Sequence, residues 1–173
     1  MKYSFFLSLV VLFLIGCGKL SEKQNLKIQI EKNGIDTLNV VQKIEKYKAM
    51  VEASKMQLKN IQRDLYESSE GGVVKVYYKG ADTLKKEIIY YGEGGKKTVD
   101  IYQKDRKFIL IEDKDIVYKD PIYVNGDVKV SDSTMNVFYL DSKQKLIFWL
   151  QNGEKVSTSK YKMKEEEITL DYD

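Results

Sequence analysis

Histidine is absent from the sequence, and the 173 residues contain only one cysteine, one proline and two arginines, Arg63 and Arg106. Without histidine, the chain cannot build a Ser-His-Asp triad, a histidine-ligated zinc site or an imidazole acid–base pair. A single cysteine excludes a disulfide within the chain and a cysteine-rich metal site. Because arginine makes the bidentate contacts to phosphate and guanine, its scarcity argues against a nucleic-acid partner. We therefore expect a protein that is not an enzyme and that holds no metal.

The composition is that of a folded protein. Hydrophobic residues make up 43% of the chain and charged residues 32%, with a net charge of +3. This balance is typical of globular domains rather than of disordered segments. The length suits one domain with a hydrophobic core.

The amino terminus has the pattern of a secretory signal peptide. Lys2 gives a positive start, residues 5–15 are apolar apart from Ser8, and Gly16 and Cys17 end the run. An apolar stretch of this length is too short to cross a bilayer comfortably, since a spanning helix needs roughly 20 residues. An uncleaved membrane helix with an incidental cysteine is the alternative interpretation.

The four residues Leu14, Ile15, Gly16 and Cys17 resemble the lipobox of bacterial lipoproteins. The resemblance implies that a signal peptidase cuts between Gly16 and Cys17, and that Cys17 carries a covalent diacylglycerol and an N-acyl chain such as palmitate. Two or three acyl chains anchor a protein stably to a lipid bilayer. Gly18 is not the aspartate that retains lipoproteins in the inner membrane, so we expect an outer-membrane, periplasm-facing or surface location in the cell envelope.

We divide the chain into a signal peptide (residues 1–16), a lipidated cysteine with a polar tether (17–35) and one α+β domain (36–173). A long helix is predicted over residues 37–68, which lack glycine and proline. Its apolar residues recur at spacings of three and four, interrupted at Ser54. They are Val40, Ile44, Tyr47, Val51, Leu58, Ile61 and Leu65.

From Val73 onward the apolar period changes to two, which indicates β-strands. Short turns separate the strands, and Asn152-Gly153 is the clearest hairpin signal. Because such short turns join only antiparallel neighbours, we predict an antiparallel β-meander over residues 73–172 after the long helix. The candidate strands are residues 73–79, 84–91, 98–104, 108–112, 116–118, 121–124, 135–140, 145–151, 154–160 and 167–172.

The dimensions of these elements conflict. A helix over residues 37–68 would be roughly 46 Å long, whereas a six-stranded sheet is about 29 Å wide. Either the helix breaks near Ser54 or its N-terminal end projects beyond the sheet. In the second case, residues 40–51 are less well covered than residues 58–65, and the uncovered end offers a route to helix-mediated self-association.

Aromatic residues are plentiful in the predicted strands. Adjacent pairs such as Tyr77-Tyr78 and Tyr90-Tyr91 place one ring on each face of a strand, so one face carries rings outside the helix-covered core. Tyrosine is also simply a good strand former, which is the alternative explanation. The candidate binding surface, for an envelope protein or a glycan, comprises Tyr77, Tyr78, Tyr90, Tyr91, Tyr139 and Trp149.

Carboxylates and lysines are the remaining groups with catalytic potential. The acidic groups Glu165–Glu167, Asp113 with Asp115, and Asp171 with Asp173 lie among lysines, which favours solvated surface. No lysine stands out as a buried nucleophile.

Residues 139–156 resemble the C-terminal hairpins of small lipoproteins common in Bacteroidota, most of which have no assigned activity.

The functional prediction is a membrane-anchored envelope lipoprotein that acts as a non-catalytic binding or structural module. The first alternative is an inhibitor of an envelope enzyme such as lysozyme. The second is an envelope hydrolase that uses carboxylates or a lysine. An exposed aromatic face would favour an assembly partner, and a pocket enclosing two carboxylates would favour the enzyme.

Overall fold

The computed structural model describes residues 35–66, 70–121 and 128–172. The first element is helix α1 (Ile35–Ser54), followed by a 3-10 turn (Lys55–Gln57). A second 3-10 turn (Thr158–Lys160) precedes the C-terminal helix α2 (Tyr161–Tyr172). Between the helices lie the strands β1 (Lys59–Leu65), β2 (Gly72–Lys79), β3 (Asp82–Gly92), β4 (Gly95–Lys104), β5 (Lys107–Tyr118), β6 (Val130–Leu140), β7 (Leu146–Gln151) and β8 (Glu154–Lys155).

All eight strands form one antiparallel sheet in which neighbours in space are neighbours in sequence, from β1 to β8. The predicted β-meander is therefore confirmed. Asn152 and Gly153 both have positive φ, 51° and 83°, as the hairpin signal requires. Asp105 and Arg106 make a similar turn with φ of 52° and 62°, although neither residue is glycine.

The predicted fold class is wrong in its long helix. α1 ends at Ser54, whose hydroxyl donates to the carbonyl oxygens of Met50 and Val51 at 3.0 and 3.1 Å. Leu58 is already extended, with φ −78° and ψ 143°. Residues 59–65 then form the edge strand β1 instead of further helix, so the break near Ser54 is the outcome observed.

The expected difference in coverage is also reversed. Val41, Ile44 and Val51 of α1 are buried, whereas Ile61 is exposed and Leu65 is half-buried. The physical reason is that α1 contacts β3, β4, β5 and β6 in the middle of the sheet. β1 lies at the edge and, among the described strands, pairs with β2 alone. The N-terminal half of the predicted helix is thus the better covered one.

Two other predicted boundaries differ. Residues 167–172 belong to α2 instead of a strand, and β8 has two residues where 154–160 were predicted. Tyr161 and Ile168 are both buried, and their spacing of seven places them on one side of a helix. The candidate strands 108–112 and 116–118 form one continuous strand, β5. The predicted strand at 121–124 falls largely outside the described residues.

The two helices lie on opposite faces of the sheet, which we call the α1 face and the α2 face. On the α2 face, Tyr161 and Ile168 pack with the main hydrophobic cluster. Its other buried members are Val99, Ile101, Phe108, Ile111, Phe138, Leu140, Leu146 and Trp149. The α1 face mixes buried aromatic rings with charged groups, and it is there that titratable side chains converge.

Candidate functional site

Register brings charged and aromatic side chains of neighbouring strands together on the α1 face. Lys85 of β3 lies opposite Tyr77 of β2 and Tyr102 of β4. Two residues further along β3, Glu87 lies opposite Asp100 of β4, and Asp100 in turn lies opposite Glu112 of β5. Since like charges directly opposite are destabilising in a sheet, this row of three carboxylates requires cations.

Lys85 supplies the central cation. Its Nζ atom lies 2.6 Å from Glu52 of α1, 2.9 Å from Glu87 and 2.9 Å from Asp100. The Lys85 side chain is 2% exposed, so these carboxylates replace the water that would otherwise solvate the ammonium group. We refer to these four residues, Lys85, Glu52, Glu87 and Asp100, as the Lys85 cluster.

Tyrosines and a second lysine complete the hydrogen bonding of this cluster. The hydroxyl of Tyr102 donates to Glu52 at 2.7 Å, and the hydroxyl of Tyr77 donates to Glu87 at 2.8 Å. Lys55, in the turn that follows α1, forms an ion pair with Glu87. The Lys85 ammonium also lies 4.9 Å from the centre of the Tyr102 ring, within cation–π range.

Polar contacts continue along α1 toward its N-terminal end. Lys48 pairs with Glu112, the last carboxylate of the row. The Tyr139 hydroxyl donates to Glu45 at 2.7 Å, and the Tyr47 hydroxyl donates to the carbonyl oxygen of Gln103 at 2.6 Å. One side of α1 therefore provides the groups that neutralise or hydrogen-bond polar side chains on the sheet.

The pKa shifts of Lys85 and Glu87 favour the charged forms of both side chains. Burial alone would lower the pKa of Lys85, but its hydrogen bonds to Glu52, Glu87 and Asp100 outweigh burial and raise it. Burial alone would raise the pKa of Glu87, yet hydrogen bonds from Lys55, Lys85 and Tyr77 lower it to about 2. The pKa of Asp100 is raised, with burial as its main cause.

The directions of these pKa shifts limit the chemistry that the cluster can perform. A lysine nucleophile needs a lowered pKa so that its amine is uncharged, and Lys85 has the opposite shift. Burial and a hydrogen bond to Glu52 raise the pKa of Tyr102, which keeps its hydroxyl protonated. The arrangement is suited to holding α1 on the sheet through paired charges.

Sequence reasoning missed this cluster. Lys85 and Glu87 do show one signal, because they alternate with Lys86, Ile88 and Tyr90 and so share one face of β3. Nothing local indicates that Glu52, 33 residues earlier, lies over that face. The contact depends on α1 ending at Ser54 and packing back on the sheet.

The predicted aromatic surface is divided between core and exterior. Tyr77 and Tyr139 are buried on the α1 face, and Trp149 is buried on the α2 face, where its indole Nε1–H donates to Asn136 at 3.1 Å. These three side chains contribute to the interior. Tyr78 and Tyr90 are half-buried, and Tyr91 is 44% exposed.

The structure does not bring the remaining three tyrosines together. Tyr90 lies opposite Gly72 at one end of β2, while Tyr78 lies near the other end of that strand. Tyr91 follows Tyr90 directly and therefore points to the opposite face. Gly16 and Cys17, the predicted processing and lipid-attachment residues, lie outside the described residues.

Neither a metal site nor a spanning helix is found in the described part of the chain. Within residues 35–66, 70–121 and 128–172, no group of three or more acidic, cysteine or histidine side chains is arranged to hold a metal ion. In the same ranges, neither helix combines the length and apolar character needed to cross a bilayer.

Comparison with known proteins adds no family assignment. No protein-family model matches the chain, and neither the curated proteins nor the solved structures contain a match to it.

Proposed function

We propose that the protein is a lipid-anchored lipoprotein of the bacterial cell envelope that serves as a non-catalytic binding or structural module. The anchor rests on the apolar run of residues 5–15 and on Gly16 and Cys17 directly after it. The proposal assigns no reaction to the domain that follows.

The proposal that the module is non-catalytic rests on the burial and protonation of Lys85. Lys85 is the most deeply buried cation that the described residues contain, and three carboxylates hold its ammonium group. A protonated lysine has no lone pair with which to attack a substrate. Glu87, with its lowered pKa, stays ionised at neutral pH and does not serve as a general acid.

Three of the six aromatic residues that the sequence offered as a binding surface remain candidates for contact with a partner. Tyr78, Tyr90 and Tyr91 retain exposed area on β2 and β3, and tyrosine supplies large contact area with few rotamers. Because they lie at different ends and faces of the two strands, we propose them as separate candidate contact points for an envelope protein or glycan, with Tyr91 the most exposed of the three. Crosslinking in intact cells tests this proposal. Alanine variants of the three tyrosines should lose crosslinked partners. Met163→Ala, which changes an exposed residue on α2, should retain them.

The anchor is tested by Cys17→Ser. Cells fed labelled palmitate should incorporate label into the wild-type chain and into a Gly18→Ala control, but not into Cys17→Ser. Intact mass should also show that Cys17→Ser keeps the first 16 residues. Unchanged labelling and processing in Cys17→Ser would contradict the anchor.

A further inference from the structure

Strand β1 is an open edge of the sheet. Within residues 35–66, 70–121 and 128–172 it pairs with β2 alone, and six of its seven residues are exposed, Leu65 being half-buried. An edge strand presents a row of backbone N–H and C=O groups that another strand can pair with. The opposite edge strand, β8, has only two residues.

The side chains of β1 differ between the two faces. Asn60, Gln62 and Asp64, all polar, lie on the α1 face, and Lys59, Ile61, Arg63 and Leu65 lie on the α2 face. Ile61 is 49% exposed although its neighbour in register, Val76, is apolar. This strand therefore carries apolar area that its single neighbour leaves uncovered.

We propose that a second copy of this chain pairs antiparallel with β1 across a two-fold axis at Gln62. Such an axis, perpendicular to the sheet, keeps each face continuous and requires residues of the same face to oppose one another. The register centred on Gln62 pairs all seven residues of both strands. Asn60 then lies opposite Asp64 of the second copy, where its amide donates to the carboxylate.

Charge distinguishes this register from its neighbours. Centred on Gln62, each cation lies opposite an apolar residue: Lys59 opposite Leu65, and Arg63 opposite Ile61. Centred on Arg63, the two guanidinium groups oppose each other, and centred on Ile61, Lys59 opposes Arg63. Like charges directly opposite are destabilising, so only the Gln62 register combines full length with compatible charges.

Residues that flank the strand support the same register. Tyr66 is 87% exposed, which leaves a large ring without cover in the isolated chain. Leu58 is already extended and half-buried. Continuing the pairing by one residue at each end places Tyr66 opposite Leu58 of the second copy, so the dimer covers the Tyr66 ring of each copy.

Association through β1 differs from the helix-mediated association considered from the sequence. The apolar residues Val41, Ile44 and Val51 of α1 are buried within the domain. β1 offers both backbone groups and uncovered apolar side chains. The inference does not depend on the lipid anchor, so its failure would leave the proposed function standing.

The first test uses the self-opposed position. The full chain in mild detergent should be a dimer by sedimentation or light scattering. Gln62→Lys and Gln62→Glu each place two like charges at the axis and should weaken the dimer about tenfold or more. Gln42→Lys, the same change at an exposed site on α1, should leave it unchanged.

Mixing the two variants makes the test specific for the register. Gln62→Lys and ¹⁵N-labelled Gln62→Glu should form a mixed dimer in preference to either homodimer by native mass spectrometry, because the opposed charges then attract. A wild-type chain that stays monomeric, or a mixture without preference for the mixed dimer, would overturn the proposal.

A second variant keeps the test valid if changes at Gln62 disturb the strand itself. Tyr66→Ser should weaken the dimer without changing the urea midpoint of the monomer, since the ring is exposed there. Met163→Ser removes an exposed apolar side chain from α2 and should have no effect on association. Equal behaviour of the two variants would contradict the pairing of Tyr66 with Leu58.

Discussion

Glu52 of α1 and Lys85 of β3 form an ion pair of 2.6 Å that joins the helix to the sheet. The two residues are 33 positions apart, and both also contact Tyr102, through its hydroxyl and its ring respectively. The pair matters because Lys85 is buried, so water cannot solvate its ammonium group if a carboxylate partner is removed. Removing either side of a buried ion pair leaves an uncompensated charge.

Replacing Lys85 should destabilise the fold strongly. Lys85→Met leaves Glu52, Glu87 and Asp100 close together without their shared cation, so we expect the free energy of unfolding to fall by about 3–5 kcal/mol. Urea denaturation at pH 7 measures this loss. Lys145→Met removes an exposed cation that pairs with Glu165 and should cost no more than about 1 kcal/mol. Equal losses would mean that the cluster contributes no more than a surface pair.

Acid should weaken the fold through Glu87. Its pKa is lowered to about 2 in the folded state, so its stabilising contribution is present above the unfolded pKa of about 4.3. That contribution is lost as pH falls from there toward 2, because the unfolded chain binds the proton first. Glu87→Gln should therefore be less stable at neutral pH and lose less stability between pH 5 and 2, as measured by urea midpoints across this range.

Asp100 provides the control for this pH dependence. Burial raises its pKa, so the folded state takes up the proton more readily than the unfolded state, and acid favours folding through this group. Asp100→Asn should therefore leave the acid-induced loss unchanged or make it steeper. A flatter profile in Asp100→Asn would contradict the assigned directions.

The seating of α1 can be tested at Val51, whose side chain is fully buried. Val51→Ala should lower the free energy of unfolding by about 1.5–3 kcal/mol, from lost apolar burial and the cavity left behind. Met50→Ala, at the exposed neighbouring position, should change it by less than about 0.5 kcal/mol. Similar values at both positions would indicate that α1 projects from the sheet.

The seating of α2 depends on a hydrogen bond to a buried strand. The Tyr161 hydroxyl accepts from the backbone N–H of Trp149 at 3.1 Å. Tyr161→Phe leaves that N–H without an acceptor and should lower the free energy of unfolding by about 1–3 kcal/mol. Fluorescence of Trp149, the single tryptophan, can follow the unfolding. Tyr91→Phe, an exposed hydroxyl, should be neutral, and an equal cost in both variants would contradict the contact.

The sheet could be predicted from sequence because its determinants are local. Alternation in the strands and the Asn152-Gly153 turn act over a few residues, so the meander and this hairpin were correctly anticipated. Ile61 and Leu65 fit a helical spacing of four as well as a strand period of two. The open edge of β2 decides between them, and that edge is a property of the assembled sheet.

The candidate site could not be predicted for a related reason. Its members come from α1, β3 and β4, and their meeting depends on tertiary packing. The aromatic positions were recognised as important, but composition does not reveal which rings face a helix. Tyr77 and Tyr139 could be assigned to the interior only after α1 was placed on the sheet.

The order of the strands has a consequence for folding. Each strand pairs with the next in sequence, so the sheet has a low contact order and can form hairpin by hairpin as the chain is synthesised. α1 is the exception, because Glu45 reaches Tyr139, 94 residues later. α1 precedes all eight strands in the chain, but its contacts form only as β3 to β6 are completed, and the contact of Glu45 with Tyr139 forms last. We expect its contacts to be absent from the folding transition state, so weakening them should accelerate unfolding more than it slows folding.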